Sequence, residues 1–279
     1  IGWLAWPVAG RFFHRIPDRG YSVSKALGLL LGGYIFWILS GFGYLRLDAG
    51  GVLMAITIMG ISGIVFNHSS SRSLPRTPLM QWARQNWRIV IATEGLFLLS
   101  FAIFAYIRAL NPEINATEKP MEFAFLNSIL RSEGMPPRDP WLSGYAISYY
   151  YFGYVIIAML TVMSGVLPSV AFNLGIALLF ALAAIGSFGV VLNLIAIGSQ
   201  GDHSEWPRKY GLSRFAYPAL IAPVFTVIVG NLNGLLEVFH QRGIGSASFW
   251  AWLGIKWIES SPNPSGTWVP QRYLWWWQS

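Results

Sequence analysis

Long apolar stretches, separated by short polar segments, alternate along most of the chain. A helix needs roughly 20 apolar residues to cross the hydrocarbon core of a bilayer. The stretches that approach or exceed this length are rich in Leu, Ile, Ala, Phe and Gly, and they are residues 26–45, 51–66, 89–109, 168–197 and 215–235. The pattern predicts five membrane-spanning helices.

A sixth apolar stretch, residues 147–166, is ambiguous. No Asp, Glu, Lys or Arg occurs between Pro140 and Gly201, so charge does not mark where one helix ends and the next begins. A tyrosine keeps its ring in hydrocarbon and its hydroxyl in water, so the tyrosines near residue 150 are typical of an interfacial helix. Two possibilities remain at this stage: residues 147–166 cross the membrane, or they form an interfacial or re-entrant segment.

Loop charges predict the orientation. Residues 11–25 carry four basic side chains against one acid, and residues 67–88 carry four arginines and no acid, which is typical of cytoplasmic loops. The span 89–109 then places the loop 110–167 outside the cytoplasm. The basic loop 198–214 returns to the cytoplasm only if residues 147–166 do not cross, so the positive-inside rule favours the interfacial or re-entrant alternative.

Composition excludes several classes of protein. Hydrophobic residues make up 54% of the chain and charged residues 11%, and the mean hydropathy of +0.48 lies outside the range of soluble domains. The net charge of +7 resides in short loops, so we expect the lipid bilayer as partner and no nucleic acid. The chain has no cysteine, which excludes thiol catalysis.

These features predict an all-α fold, a polytopic transmembrane helical bundle. We expect one transmembrane domain over residues 1–279, truncated at both ends, because the chain begins without Met inside a short apolar run and stops at Trp277-Gln278-Ser279.

The loop 110–167 gathers most of the chemistry. Within it, residues 121–133 show apolar positions at helical spacing, namely Met121, Phe125 and Ile129, with polar residues between them. Pro120 suits a first helical turn, and Gly134 with the following prolines ends the pattern. The loop therefore holds an amphipathic juxtamembrane helix whose first turn carries acids, where the helix dipole favours negative charge.

Several uncommon strings in this loop carry a resemblance to a known family. They are the order Glu118-Lys119-Pro120-Met121, the segment from Pro136 to Trp141, and Tyr149-Tyr150-Tyr151-Phe152-Gly153-Tyr154. The chain resembles the Chlor_Arch_YYY family of hydrophobic membrane proteins, and the likeness extends to Gly230-Asn231-Leu232-Asn233-Gly234 and to the tryptophans at 275–277.

That family is distantly similar to the GT-C glycosyltransferases, which place an Asp-Glu pair at the start of their first large outer loop. Glu118-Lys119 stands at that place here, so Lys119 replaces the second acid. The resemblance implies transfer of a sugar from a polyprenyl-phosphate donor to an acceptor on the extracytoplasmic face of a prokaryotic plasma membrane. Such a reaction needs a carboxylate base and cations for the phosphate leaving group.

The candidate residues follow from these needs. Glu118 is the first candidate for the catalytic base, Glu122 is the alternative base, and Asp139 is a candidate supporting acid or metal ligand. The candidate substrate-binding residues are Lys119, Arg131 and Arg138 for the phosphate, Tyr149, Tyr150 and Tyr151 for the sugar, and Asn231. On their own, the tyrosines suit an interfacial belt better than a sugar platform. A divalent cation is compatible with this chemistry, but no spacing of ligands supports one.

Two other functions stay open: a transporter or flippase, and a membrane assembly protein without catalysis. A transporter favours acids in mid-membrane and repeated halves. The chain shows no internal repeat, and its only acid within a predicted span is Glu94. Snorkelling, an internal ion pair or a function would each explain Glu94.

Overall fold

The structure of the protein is a computed structural model that describes residues 1–68, 78–115, 117–199, 211–229 and 232–255. These residues are helical apart from turns, loops and one isolated antiparallel bridge between Arg138 and Ala146. The chain divides into two compact units, Ile1–Ala222 and Pro223–Ser279. The first unit contains α1 (Gly2–Phe12), α2 (Ser24–Gly41), α3 (Ala49–His68), α4 (Leu79–Gln85), α5 (Trp87–Leu110), α6 (Lys119–Arg131), α7 (Phe152–Ser164) and α8 (Pro168–Gly198).

Four of these helices are long and apolar enough to cross a membrane, namely α2, α3, α5 and α8. They coincide, within a few residues at each end, with four of the five stretches predicted from the sequence. The architecture confirms the predicted all-α class of a polytopic membrane protein. Helix α7 is apolar but has 13 residues, about 20 Å of helix, against roughly 30 Å of hydrocarbon. Its length suits an interfacial or re-entrant segment, which stays a prediction.

The described residues 215–229, within the predicted span 215–235, do not form one regular α-helix. A 3-10 turn at Leu212–Phe215 leads into the short segments Ala216–Ala219 and Ile221–Pro223, and five residues with π-helical hydrogen bonding follow at Val224–Ile228. Pro218 and Pro223 explain the irregularity, because a proline inside a helix has no N–H to donate and clashes with the preceding turn.

Helix α6 turns its apolar face inward. Phe125, Leu126 and Ile129 are buried, and Leu126 and Ile129 pack with residues of α2, α3, α7 and α8 in one of two hydrophobic clusters among the described residues. The other cluster lies at the opposite end of the bundle, around the start of α5 and the end of α8. We call the end of the bundle that holds the first cluster the α6 end, and the end that holds the second cluster the α4 end. The amphipathic pattern of residues 121–133 therefore reflects packing against the protein.

The loop between α1 and α2 is fixed at the α4 end by a buried aspartate. Asp18 is 1% exposed, and its carboxylate accepts hydrogen bonds from Gly20 N (2.9 Å), Ser22 N (3.1 Å) and Ser22 Oγ (2.6 Å). The backbone N of Asp18 donates to Asn193 Oδ1 on α8 (3.0 Å). Asp18 thus organises the loop and joins it to α8.

Glu94, the acid within a predicted span, has an internal partner. Lys25 of α2 forms a salt bridge with it, and Tyr21 Oη donates a hydrogen bond to its Oε1 (2.6 Å). Of the three explanations for Glu94, the structure supports the internal ion pair. A charged side chain at membrane depth needs a partner of opposite charge.

Two glycines one turn apart on α8 provide a test of this packing. A Cβ at Gly189 would lie 1.9 Å from Ser22 Oγ, whereas a Cβ at Gly186 would meet nothing within 4 Å. We expect Gly189→Ala to lower the free energy of unfolding by about 1–3 kcal/mol through overpacking. Gly186→Ala, the matched control, gains helix propensity and should be neutral or stabilising by up to about 1 kcal/mol. Thermal unfolding in detergent, followed by tryptophan fluorescence, measures both, and equal melting temperatures would contradict the close contact.

Besides the π-helical residues Val224–Ile228, the second unit contains two described α-helices, Leu232–Gln241 and Ala247–Leu253. Ser246 caps the latter, because its Oγ accepts a hydrogen bond from Phe249 N (3.2 Å). Trp250 is buried, and its ring lies 5.0 Å from that of His240 in an edge-on arrangement.

Candidate functional site

The start of α6 presents two carboxylates close to each other. Glu118 occupies the N-cap position and Pro120 lies in the first turn, so the helix begins where the sequence predicts. The Glu118 side chain makes no capping hydrogen bond and is exposed. Glu122 follows one turn later and is half-buried. An exposed carboxylate that does not cap its own helix can reach a substrate.

Three tyrosines surround these acids. Tyr154 forms a hydrogen bond with Glu122 and lies in the electrostatic field of Glu118. The rings of Tyr149 and Tyr150 stand 4.1 Å apart. A hydrogen bond with Tyr150, together with the negative charge of Glu118, raises the pKa of Tyr149 to about 12. We call these five residues the acid–tyrosine cluster.

Two cations lie beside the cluster. Burial lowers the pKa of Lys119, and the positive charge of Arg108 on α5 lowers it further, while Glu122 acts in the opposite direction. The guanidinium of Arg108 is held by Asn173 of α8, whose Oδ1 accepts from Nε (2.9 Å) and Nη2 (2.6 Å). Asn173 is in turn fixed by donating Nδ2 to Pro112 O and Ser169 O, both at 3.0 Å. An anion placed between the two cations would relieve their repulsion.

A cavity of about 450 Å³ opens beside Arg108, and we call it the Arg108 cavity. Its size is that of a typical ligand pocket. Side chains of α5, of α8 and of the segment after α5 line it, and they are Ala105, Arg108, Ala109, Pro112, Ser169, Val170, Asn173 and Leu174.

The other predicted phosphate-binding arginines lie in a different place. Arg131 and Arg138 line a separate cavity of about 280 Å³ together with Glu133. Arg131 ends α6, about 18 Å along the helix axis from Lys119. The structure therefore groups Lys119 with the carboxylates and Arg108, and it places the two arginines at the far end of α6.

Asp139 has a structural contact. Its Oδ1 accepts hydrogen bonds from the backbone N of Trp141 and of Leu142, both at 2.8 Å, which is the pattern of an Asx turn. This turn shapes the loop that leads towards the tyrosines. Within the described ranges, no group of three or more His, Asp or Glu side chains could hold a metal ion.

The remaining predicted residues differ in position. Tyr151 is half-buried, and its hydroxyl accepts a hydrogen bond from Trp37 Nε1 of α2 (3.0 Å), whereas Tyr149 and Tyr150 are exposed. Tyr149 and Tyr150 are thus accessible next to the acids, and Tyr151 connects the loop to the bundle. Asn231 lies outside the residues that the structure describes.

The sequence did not single out Arg108, Asn173 or Tyr154 as members of a site. Arg108 stands at the end of an apolar stretch, where a basic residue normally indicates the membrane boundary. Asn173 is a polar residue inside the helix α8, and it is nearly buried. A buried amide needs hydrogen-bond partners, so Asn173 was a signal in the sequence for a partner outside its own helix.

These features define a polytopic helical membrane protein with acids, tyrosines and cations gathered at one end of its bundle. The chain belongs to the family described as "Uncharacterized membrane protein (DUF2298)", which matches residues 31–279. Neither the comparison with curated proteins nor the comparison with solved structures found a match.

Proposed function

We propose that the protein is a membrane glycosyltransferase of GT-C type that moves a sugar from a polyprenyl-phosphate donor to an acceptor hydroxyl on the extracytoplasmic face. One observation carries the proposal: the exposed Glu118 carboxylate stands at the start of α6, next in sequence to Lys119, and the positive charge of Arg108 lowers the pKa of Lys119. A base next to an anion site is what transfer from a phosphate-linked sugar requires. The likeness of Glu118-Lys119 and of the tyrosine string to the Chlor_Arch_YYY and GT-C families supports the same function.

The chemistry involves one bond formed and one broken at the anomeric carbon. Glu118 takes the proton of the acceptor hydroxyl as the acceptor oxygen bonds to the anomeric carbon. The bond from that carbon to the phosphate oxygen breaks, and polyprenyl phosphate leaves with the bonding electrons. The leaving phosphate gains negative charge, so cations close to it lower the barrier.

The neighbouring residues have separate roles in this proposal. Lys119 and Arg108 contact the phosphate, and Asn173 positions Arg108 by accepting two of its hydrogen bonds. Tyr149 and Tyr150 present exposed rings and hydroxyls to the sugar. Tyr149 stays protonated at physiological pH, because its pKa is about 12, so its hydroxyl can donate a hydrogen bond.

The test is reconstitution of the full-length protein in liposomes with a radiolabelled polyprenyl-phosphate sugar and a hydroxyl-bearing acceptor extract. We expect label to move from the lipid fraction to the acceptor, and we expect no transfer from the matching nucleotide sugar. Transfer from the nucleotide sugar alone, or no transfer from any of a panel of lipid-linked sugars, would overturn the proposal. Movement of the intact labelled lipid between leaflets without transfer would instead identify a flippase.

A further inference from the structure

A cavity of about 290 Å³ lies at the α4 end, and we call it the α4-end cavity. Two of its lining residues mark the ends of long apolar helices, since Asn86 is the N-cap of α5 and Ser199 is the C-cap of α8. Trp87, the first residue of α5, is exposed, and tryptophan is typical of the boundary between hydrocarbon and water. The cavity therefore lies at the depth of the lipid headgroups.

The ionisable side chains that line this cavity are all basic, as far as the described residues extend. The loop between α1 and α2 contributes them, and they are His14, Arg15 and Arg19. The acid of that loop, Asp18, is buried, and its carboxylate accepts three hydrogen bonds within the loop. Arg15 is exposed, and no carboxylate of the described ranges forms a salt bridge with it. Arg15 therefore presents its charge to an anion.

The loop that carries these cations is held in place. Trp82 Nε1 of α4 donates a hydrogen bond to Pro17 O (3.2 Å), next to the buried Asp18. The ring of His14 is fixed as well, because its Nδ1 donates to Arg11 O (2.9 Å), which directs Nε2 to a ligand. Groups that are already ordered bind a ligand at a smaller entropic cost.

Two neutral polar side chains of the cavity present hydrogen-bond acceptors. Asn86 Nδ2 donates to Trp82 O (3.0 Å), and Ser199 Oγ donates to Ile195 O (2.7 Å). Asn86 Oδ1 and the lone pairs of Ser199 Oγ can still accept hydrogen bonds. The cavity thus combines a cation, which suits a phosphate, with acceptors, which suit hydroxyl groups.

We propose that the α4-end cavity binds the headgroup of an anionic phospholipid that carries free hydroxyl groups, of the phosphatidylglycerol kind. Arg15 binds the phosphate, and Asn86 and Ser199 accept hydrogen bonds from the glycerol hydroxyls. Basic pockets between membrane helices on the cytoplasmic side bind anionic headgroups, and the loop charges predict that side for the α4 end. The volume suits a headgroup, so the acyl chains stay in the bilayer. This site lies at the opposite end of the bundle from the proposed transfer reaction.

The experiment measures the binding of phosphatidylglycerol to the full-length protein in a neutral detergent by native mass spectrometry. We expect Arg15→Ala to weaken binding about 10- to 100-fold, because a hydrogen bond between a cation and the phosphate is lost. Arg84→Ala is the matched control: Arg84 is exposed on α4 and does not line the cavity, so binding should stay within about twofold of wild type. Equal losses in the two variants would overturn the proposal. Melting temperatures without added lipid control for folding.

Three comparison ligands decide the chemistry. Phosphatidylcholine has no net charge, and free glycerol 3-phosphate has no acyl chains, so each should bind at least about tenfold more weakly than phosphatidylglycerol. Phosphatidic acid lacks the glycerol hydroxyls, so Ser199→Ala should lower the ratio of phosphatidylglycerol to phosphatidic acid binding about three- to tenfold. An unchanged ratio would overturn the role of the hydroxyls. Equal binding of phosphatidylcholine would overturn the anion site, and glycerol 3-phosphate binding as tightly as the lipid would identify a soluble phosphate ester instead.

Discussion

Replacing Glu118 by Gln is expected to lower sugar transfer by about 10²- to 10⁴-fold, which is the usual contribution of a general base. The amide has nearly the shape of the carboxylate but cannot take the acceptor proton. Glu118 is exposed and makes no capping hydrogen bond, so the substitution leaves the fold and membrane insertion intact. The measurement is the initial rate of transfer from a labelled polyprenyl-phosphate sugar by the full-length protein, with the melting temperature as the control for folding.

Glu122→Gln distinguishes the two candidate bases. Glu122 is one turn further along α6, half-buried and hydrogen-bonded to Tyr154. If Glu118 is the base, Glu122→Gln loses less activity than Glu118→Gln and loses some stability. A larger loss for Glu122→Gln would reverse the assignment, and unchanged transfer by both variants would remove the acid–tyrosine cluster from the reaction.

A second comparison separates Glu118 from general surface charge. Glu133 is exposed near the other end of α6 and lines the cavity that contains Arg131. Glu133→Gln removes the same charge from the same loop without touching the acid–tyrosine cluster. It should leave transfer within about twofold of wild type, as for a solvated surface acid.

The fold was largely predictable because hydrophobic length identifies a membrane helix without knowledge of its neighbours. Helices α2, α3, α5 and α8 each follow from a run of apolar residues. The amphipathic helix α6 also follows, since Met121, Phe125 and Ile129 repeat at helical spacing. What lies against that apolar face could not be read from the pattern, because lipid and protein select for the same side chains.

The site was predictable where its residues are neighbours in sequence, and not where separate helices contribute to it. Glu118 and Lys119 are adjacent, and Tyr149 and Tyr150 are adjacent, so their types alone suggested chemistry. Arg108 and Asn173 are 65 residues apart and meet only because α5 packs against α8. The irregular hydrogen bonding at residues 212–228 was not visible in the apolar pattern either, since hydropathy averages over Pro218 and Pro223 and does not register the hydrogen bonds that they remove.

Replacing Asp18 by Ala is expected to destabilise the first unit by about 3–5 kcal/mol. Asp18 is 1% exposed, so no water replaces its carboxylate when it is lost. Gly20 N, Ser22 N and Ser22 Oγ would each lose an acceptor, and an unsatisfied buried donor costs about 1–3 kcal/mol. The backbone N of residue 18 would still donate to Asn193 Oδ1 on α8, so the expected loss lies in the turn that the carboxylate organises.

Ser22→Ala is the graded control for this prediction, because it removes one donor and leaves the carboxylate with the two backbone partners. Its cost should be about 1 kcal/mol, the net value of a single hydrogen bond. Thermal unfolding in detergent and limited proteolysis of residues 13–23 measure both variants against wild type. The melting temperature should be highest for wild type, lower for Ser22→Ala and lowest for Asp18→Ala, following the number of groups left unsatisfied. If Asp18→Ala were as stable as Ser22→Ala, water would solvate the loop after the carboxylate is removed.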